Sequence, residues 1–325
     1  MATDLTRVLN MMLPDRWQGY FIENTAILSA IRQAGIVGTI ANLPVPDYGL
    51  TMNMPSYQDI HGEDEVWSSG HETIPDPIQT QKEIAVVLTR IKSWGAEDLA
   101  GLLSGANPDP LGAIGQLAGT YWSRREQKIL LAILNGIFGD GVTTGALRDN
   151  FMNASGQKID NNLMVDAISI LGDASEKVTA MVMHSAVRAD LAKKKLLDPK
   201  PTEPGTNTAP EFSSYLGRRI IVDDGAPFET IGGNKVYTTY LFGANSIGYA
   251  EGVPTHPVEI ERRGTRSEDV LINRRRFIMH PRGLAWKGSA AGTTPSNEEL
   301  ALAANWEKVF ELKNIPIVGL KSQIG

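Results

Sequence analysis

The sequence contains no cysteine. That excludes disulfides, thiolate zinc sites and cysteine nucleophiles, and it suits a chain made in a reducing cytoplasm. Charge of either sign is also scarce in excess. A formal net charge of −6 over 325 residues gives no support to dominant nucleic-acid binding or to attraction by a membrane. No run approaches the roughly 18–20 apolar residues of a membrane span, and the first residues, MATDLTRVLNMMLPDRW, lack the apolar segment of a signal peptide. The expectation is a soluble, intracellular chain with no membrane partner. No internal repeat is visible.

Catalytic patterns are equally scarce. The five histidines, at 61, 71, 184, 256 and 280, stand singly, without the i, i+4 spacing that puts two metal ligands on one helical face. His184-Ser185 follows a strand pattern but lacks the G-x-S-x-G elbow that exposes a serine nucleophile; Ser185 reads as a helix cap. Asp223-Asp224-Gly225 reads as a turn. Phe138-Gly139-Asp140-Gly141 follows a helix instead of opening one, so the dipole is wrong for phosphate. The adjacent acids Glu63, Asp64 and Glu65 read as a solvated or salt-bridging patch. No catalytic residue, metal or cofactor is implied.

What is present begins with one long helix, expected over about 109–138. Asp109 is placed to cap it, Pro110 sits where the first turn tolerates proline, and Gly139 suits a left-handed end. Its first half, with Gly112, Gly115 and Gly119, has poor helical propensity and needs a close neighbour. Its second half, from Ile129 to Phe138, is apolar nearly all round and calls for burial on several sides. Arg124, Arg125, Glu126 and Lys128 read as a charged belt between the halves.

Around this spine the chain divides. Residues 1–45 carry two amphipathic pieces, Asp4–Leu13 and Thr25–Gly35, with the aromatics Trp17, Tyr20 and Phe21 between them, and read as an arm. Residues 46–80 begin with the strand-like Leu50, Met52 and Met54 and continue as a long polar loop bearing Glu63, Asp64, Glu65 and Trp67. A connection of that length is unusual inside a compact domain. Glu83–Ile91 is rich in β-branched residues and reads as a strand, leading to a short helix over Ala96–Leu103. Residues 139–156 read as a surface link. An α/β rhythm follows: helix Asn161–Leu171, strand Val178–Met183, helix His184–Lys195, a proline-rich loop over 198–210, and strands Arg219–Val222, Val236–Phe242 and Ile247–Glu251. From Val258 to Met279 two strands flank a charged tip, with Arg262, Arg263, Arg266, Arg274, Arg275 and Arg276 on or near it. Interspersed Glu259, Glu261 and Glu268 argue for protein–protein salt bridges over nucleic acid. The tail predicts a helix over Asn297–Trp306 and a strand over Phe310–Leu312.

The order of these elements, with TMNMPSYQDIHGEDEVWSSG, VVLTRIKSWGAEDLAG, VTAMVMHSAVRADLAKKKLLD, RRIIVDDGAP and LINRRRFIMHPRGLAWKG, resembles the major capsid proteins of tailed bacteriophages over nearly the whole chain. The resemblance implies an α+β, Hong Kong 97-type fold. It implies an N-terminal arm (1–45), an extended loop (46–80), a peripheral domain with the spine helix (81–159), and an axial domain (160–255). It also implies a returning peripheral hairpin (256–288) and a closing segment (289–325). The expected function is a non-enzymatic shell of hexamers and pentamers enclosing double-stranded DNA; a cellular cargo compartment of the same fold and a soluble α/β enzyme centred on 160–255 are the alternatives. Expected subunit contacts are Trp17, Tyr20, Phe21, Glu63, Asp64, Glu65, Trp67, Arg262, Arg263, Arg266, Glu268 and Asp269. Expected partners are other copies, portal and scaffolding proteins, a cement or decoration protein, and DNA in weak non-specific contact. The arm begins at Met1, so scaffolding is expected as a separate protein. Residues 46–80 contain no lysine, so no lysine cross-link through this loop is expected.

Overall fold

A computed structural model of the protein describes residues 35–39, 45–46, 49–57, 64–66, 69, 72, 80–97, 110–199 and 212–324. Residues 1–34, with both amphipathic pieces of the arm up to Ala34, Asp109 and residues 200–211 lie outside the described residues.

In chain order the strands are β1 (Val37–Thr39), β2 (Thr51–Tyr57), β3 (Thr80–Glu97), β4 (Phe151–Lys158), β5 (Val178–Met183), β6 (Asp198–Pro199), β7 (Phe212–Tyr215) and β8 (Arg218–Val222). They continue with β9 (Phe228–Ile231), β10 (Asn234–Gly243), β11 (Ile247–Gly252), β12 (Val258–Arg263), β13 (Glu268–Pro281), β14 (Leu284–Trp286), β15 (Trp306–Lys308) and β16 (Ile317–Gln323). The helices are α1 (Pro110–Phe138), α2 (Asn161–Ser169), α3 (Ser185–Lys193) and α4 (Asn297–Leu300).

Helix α1 has 29 residues and spans about 43 Å at 1.5 Å per residue. Gly139 closes it with φ of 60°, and its N–H donates to the Asn135 carbonyl at 2.9 Å. Beyond it the Asp140 carboxylate accepts from the N–H groups of Val142, Thr143 and Thr144, which folds the chain back at once.

Two large sheets meet along α1. The first runs β1-β11-β13-β3-β2, with β12 also paired to β13. The second runs β4-β16-β10-β5-β8-β7-β6, with β9 paired to β10. The apolar half of α1, Ile129 to Phe138, fills the space between them. It packs with Val86, Leu88, Phe277 and Met279 from the first sheet and Ala180, Val182, Tyr240 and Phe242 from the second. Each Val, Leu, Ile, Phe or Met among them contributes about 1.5–3 kcal/mol when fully buried. The opposite face of the second sheet is covered by α2 and α3 in a separate core that includes Leu163, Met164, Val187 and Leu191. Alternation along β5 produces this: Ala180 and Val182 belong to the first core, Met181 and Met183 to the second.

The glycine-rich half of α1 needs a close neighbour, and the hairpin strands supply one. Ala118 packs with Val258 and Leu271 of β12 and β13, and with Trp94 of β3. A second close approach occurs at the other end. A Cβ on Gly136 would come inside contact distance of the Leu300 carbonyl oxygen and sit 2.6 Å from Trp306 Nε1. Alanine improves helix propensity over glycine by about 1 kcal/mol, whereas overpacking against fixed backbone costs about 1–3 kcal/mol. The Leu300 oxygen also accepts from Trp306 Nε1 at 2.8 Å. Gly136→Val should therefore destabilise the subunit by about 3 kcal/mol, read as a lowered denaturation midpoint. An unchanged midpoint would mean that α4 and Trp306 move aside freely.

Several sequence expectations are corrected. Ala96 and Glu97 do not start a helix; β3 runs through them, because its ladder with β13 extends to Glu268↔Glu97. The link over 139–156 contains most of β4, which pairs in parallel with β16. The cap of α3 is His184, whose Nδ1 accepts from Ala186 N–H at 3.0 Å, not Ser185. Strand β11 pairs with β13 and so belongs to the sheet of the hairpin, not to that of residues 160–243. The tail helix stops at Leu300 with a Ser296–Glu299 capping box at its start; Trp306 is in a strand. Leu312 starts a 3-10 turn, and the last strand is β16, which lies inside its sheet.

Candidate interaction surfaces

The hairpin β12–β13 carries most of the charge singled out in the sequence. Its register runs from Val258↔Asn273 to Arg263↔Glu268, with a 3-10 turn over Gly264–Arg266 and Ser267 in the left-handed region at φ 48°. Residues 261 to 267 are all exposed. Alternation then sorts the charges. Odd-numbered residues of β13, from Asp269 to Met279, face α1; even-numbered ones face away.

That sorting changes the meaning of the arginines. Arg275 is not a surface charge: its side chain is 5% exposed and pairs with Glu126 of α1, itself 3% exposed, at 2.8 Å. Its other nitrogen meets Glu251 at 2.5 Å and donates to the Tyr249 hydroxyl at 3.2 Å. Burial opposes its charge, but the fields of Tyr249, Glu251 and Glu126 outweigh that and raise the guanidinium further above its ordinary range. Glu126 is thus withdrawn from the charged belt, leaving Arg124, Arg125 and Lys128 exposed.

Arg274 pairs with Glu259 at 2.9 Å. Arg276 donates to the Pro46 carbonyl at 2.8 Å and to the Gly49 carbonyl at 3.3 Å, tying the segment before β2 onto the sheet. Arg262 pairs with Asp269 at 3.0 Å. Arg263 lies 3.8 Å from Glu261. The salt bridges inferred from the sequence are therefore largely formed within the chain. Glu268 lies against Gly95, with no room there for a Cβ. Arg266 is exposed at the tip.

Of the other expected contact residues, Asp64 and Glu65 are exposed. Glu63, Trp67, Trp17, Tyr20 and Phe21 lie outside the described residues. The strands that carry the loop of residues 63–67 form a ladder: β2 pairs antiparallel with β3 from Thr51↔Val86 to Tyr57↔Thr80, and Met52 and Met54 pack on Ala85 and Val87. The sequence missed β9, a strand exposed along its whole length, which carries Phe228 at 54% and Ile231 at 43% exposure. Its signal was the Gly232-Gly233 pair, with φ of 59° and 84°, a two-residue hairpin turn. His184, Ser185 and Asp224 come together at the start of α3, yet His184 Nδ1 and Asp224 both accept helix N–H groups; this is a cap. Among the described residues no group of three or more acidic or histidine side chains is arranged to hold a metal, and no helix is long and apolar enough to cross a membrane.

Residues 130–316, more than half of the chain, match the family described as Gp13-like, major capsid protein 13-like. The chain is also 39% identical over 329 residues to the major capsid protein of Bacillus phage SPP1, covering 98% of each. The chain belongs to this major capsid protein family. Its fold is shared with the capsid of Ralstonia phage GP4, at a TM-score of 0.59, 9% identity and 91% of each chain. It is shared equally with the capsid of Helicobacter pylori bacteriophage KHP30, at 0.58, 10% identity and 89% of each chain. The architecture is the α+β, Hong Kong 97-type capsid fold. This capsid protein is a structural component of a phage virion that assembles with copies of itself, and it is not an enzyme. The scarcity of catalytic constellations in its sequence accords with that role.

Proposed function

We propose that this capsid protein builds an icosahedral head from hexamers and pentamers that encloses double-stranded DNA. The observation that carries the reading is the 39% identity, over 98% of the chain, to a phage major capsid protein. Two hairpins on one sheet, β2–β3 and β12–β13, support it, since each is joined by charged sequence of which Asp64, Glu65 and residues 261–267 are exposed. Residues 81–150 and 256–288, with β11, make up a peripheral domain, and β4 goes with the axial sheet through its ladder to β16. Residues 160–243 make up most of an axial domain around the capsomer axis. Residues 289–325 close the junction, residues 46–80 form an extended loop over a neighbour, and residues 1–34 form an arm that ends where Ile36 enters the core and β1 joins β11. Trp17, Tyr20, Phe21, Glu63, Asp64, Glu65 and Trp67 are contacts of the arm and loop. Arg262, Arg263, Arg266 and Glu268 are contacts of the second hairpin's tip with other subunits, whereas Asp269, expected as one, is buried and held by Arg262 within the chain. Portal, scaffolding and decoration proteins are the further partners, and assembly takes place in the host cytoplasm.

Electron microscopy of the purified protein tests this. Closed icosahedral particles, or rings of six and five, are expected. A small monodisperse species at every concentration would sink the reading.

A further inference from the structure

The outward face of α1 carries a row of cations that no acid among the described residues balances. Arg124 and Lys128 are one turn apart on the same face, Arg125 flanks them, and all three are exposed. Like charges at i, i+4 cost a helix about 0.2–0.5 kcal/mol. Some cations elsewhere meet exposed acids, Arg274 with Glu259, Lys321 with Glu229 and Lys313 with Asp173, whereas other exposed cations, Lys92 and Lys235 among them, stand singly among the described residues. Here the one acid of the stretch, Glu126, is turned inward to Arg275. Among the described residues no carboxylate pairs with Arg124 or Lys128. Arg125 is held in place: its Nε donates to the Tyr121 hydroxyl at 3.1 Å and its guanidinium lies 5.2 Å from that ring's centroid.

The neighbours of the row decide what it fits. Thr120, Gln127 and Asn135 are polar and uncharged, and none of the large exposed hydrophobic side chains of the described residues lies on α1. Interfaces between protein copies have an apolar, aromatic-rich centre. Surfaces that take nucleic acid are polar and strongly positive. In a chain of net charge −6, an unbalanced cationic row matches an anion supplied from outside.

Building on the capsid reading, we propose that Arg124, Arg125 and Lys128 are a docking surface for the phosphate backbone of double-stranded DNA, which makes this face of α1 the inner lining of the shell. A duplex carries one charge per about 1.7 Å of axis, and Arg124 and Lys128 are about 6 Å apart along the helix, so the cations reach separate phosphates. The contact has no sequence preference.

The test uses the full-length chain as subunits, with a fluorescent 30-base-pair duplex of mixed sequence followed by anisotropy over a salt series. Arg124→Gln/Arg125→Gln/Lys128→Gln should make the slope of log affinity against log salt shallower by about 2.7, at about 0.9 per phosphate contact. Between 50 and 200 mM salt the wild type would then lose about 40-fold more affinity than the variant. Arg148→Gln/Lys313→Gln, which removes two cations paired with Asp149 and Asp173, should leave the slope unchanged. Circular dichroism confirms folding, and Arg124→Gln/Lys128→Gln, which keeps the Arg125–Tyr121 contact, should show about two-thirds of the change. An unchanged slope in the triple variant overturns the inference. An unchanged slope with loss of shells overturns it too, by making the row a contact between copies. Wild-type chains that assemble while the slope stays unchanged leave the capsid reading intact. A wild type whose slope depends on the row but which never assembles defeats the capsid reading alone.

Discussion

Arg275→Leu should destabilise the subunit by about 3–5 kcal/mol, the cost of removing one partner from a buried ion pair. Taking a guanidinium or carboxylate out of water costs several kcal/mol per ion, and only good geometry offsets it. Here the geometry is good: contacts of 2.8 Å to Glu126 and 2.5 Å to Glu251 come from two different elements, α1 and β11. The guanidinium also lies within 6 Å of the Trp122 and Phe277 ring centroids. Leucine cannot answer Glu126, whose side chain would stay 3% exposed with its cation gone. Replacing both, as Glu126→Leu/Arg275→Leu, should recover most of the loss, because apolar groups of similar volume are often neutral or better at such sites. A double-mutant cycle on urea midpoints measures this. If Arg275→Leu alone cost under about 1 kcal/mol, the pair would not be what fixes α1 to the sheet. Assembly should follow stability, since α1 joins both sheets.

Glu126 also shows where sequence reading was limited. Placed in a belt with Arg124, Arg125 and Lys128 it looked solvated. Its spacing says otherwise: Trp122, Glu126, Ile129 and Ile133 share one helical face, and that face is buried. A carboxylate on an apolar stripe requires a buried cation, and Arg275 lies 149 positions away. Local signals were legible. Pro110 and Gly139 bracket α1 at both ends, and β5 was predicted with its final bounds. The β12–β13 hairpin announced itself by alternation around a polar tip. Elements made by long-range pairing were not legible. The sequence of β4, FMNASGQK, has no strand pattern; it is extended because β16 offers a parallel ladder from the far end of the chain. The last turns of β3 are strand because β13 pairs with them, against a local pattern that favoured a helix. The expected contact residues are the least legible, because their partners belong to other copies.

Deleting residues 58–75 should leave a folded subunit that forms no stable shells. The ladder between β2 and β3 ends at Tyr57↔Thr80, so the deletion touches none of its pairs. It leaves Asp76, Pro77, Ile78 and Gln79 to join the strands, a length within the common range for hairpins. Asp-Pro is suited to starting a turn. The packing of Met52 and Met54 on Ala85 and Val87 is retained, as is the tie from Arg276 to Pro46 and Gly49. Subunit stability should therefore change by less than about 1 kcal/mol, the usual scale for surface changes away from core features. What is lost is Glu63, Asp64, Glu65 and Trp67, which the proposed function places over a neighbouring subunit. The effect on assembly should be large because capsid contacts are repeated at every subunit, so even a modest loss per contact is multiplied around the shell. Circular dichroism and urea midpoints report the subunit; particle yield by sedimentation and electron microscopy reports the shell. An unfolded deletion variant would place these residues in the core, and a normal yield of particles would remove the loop from the assembly contacts.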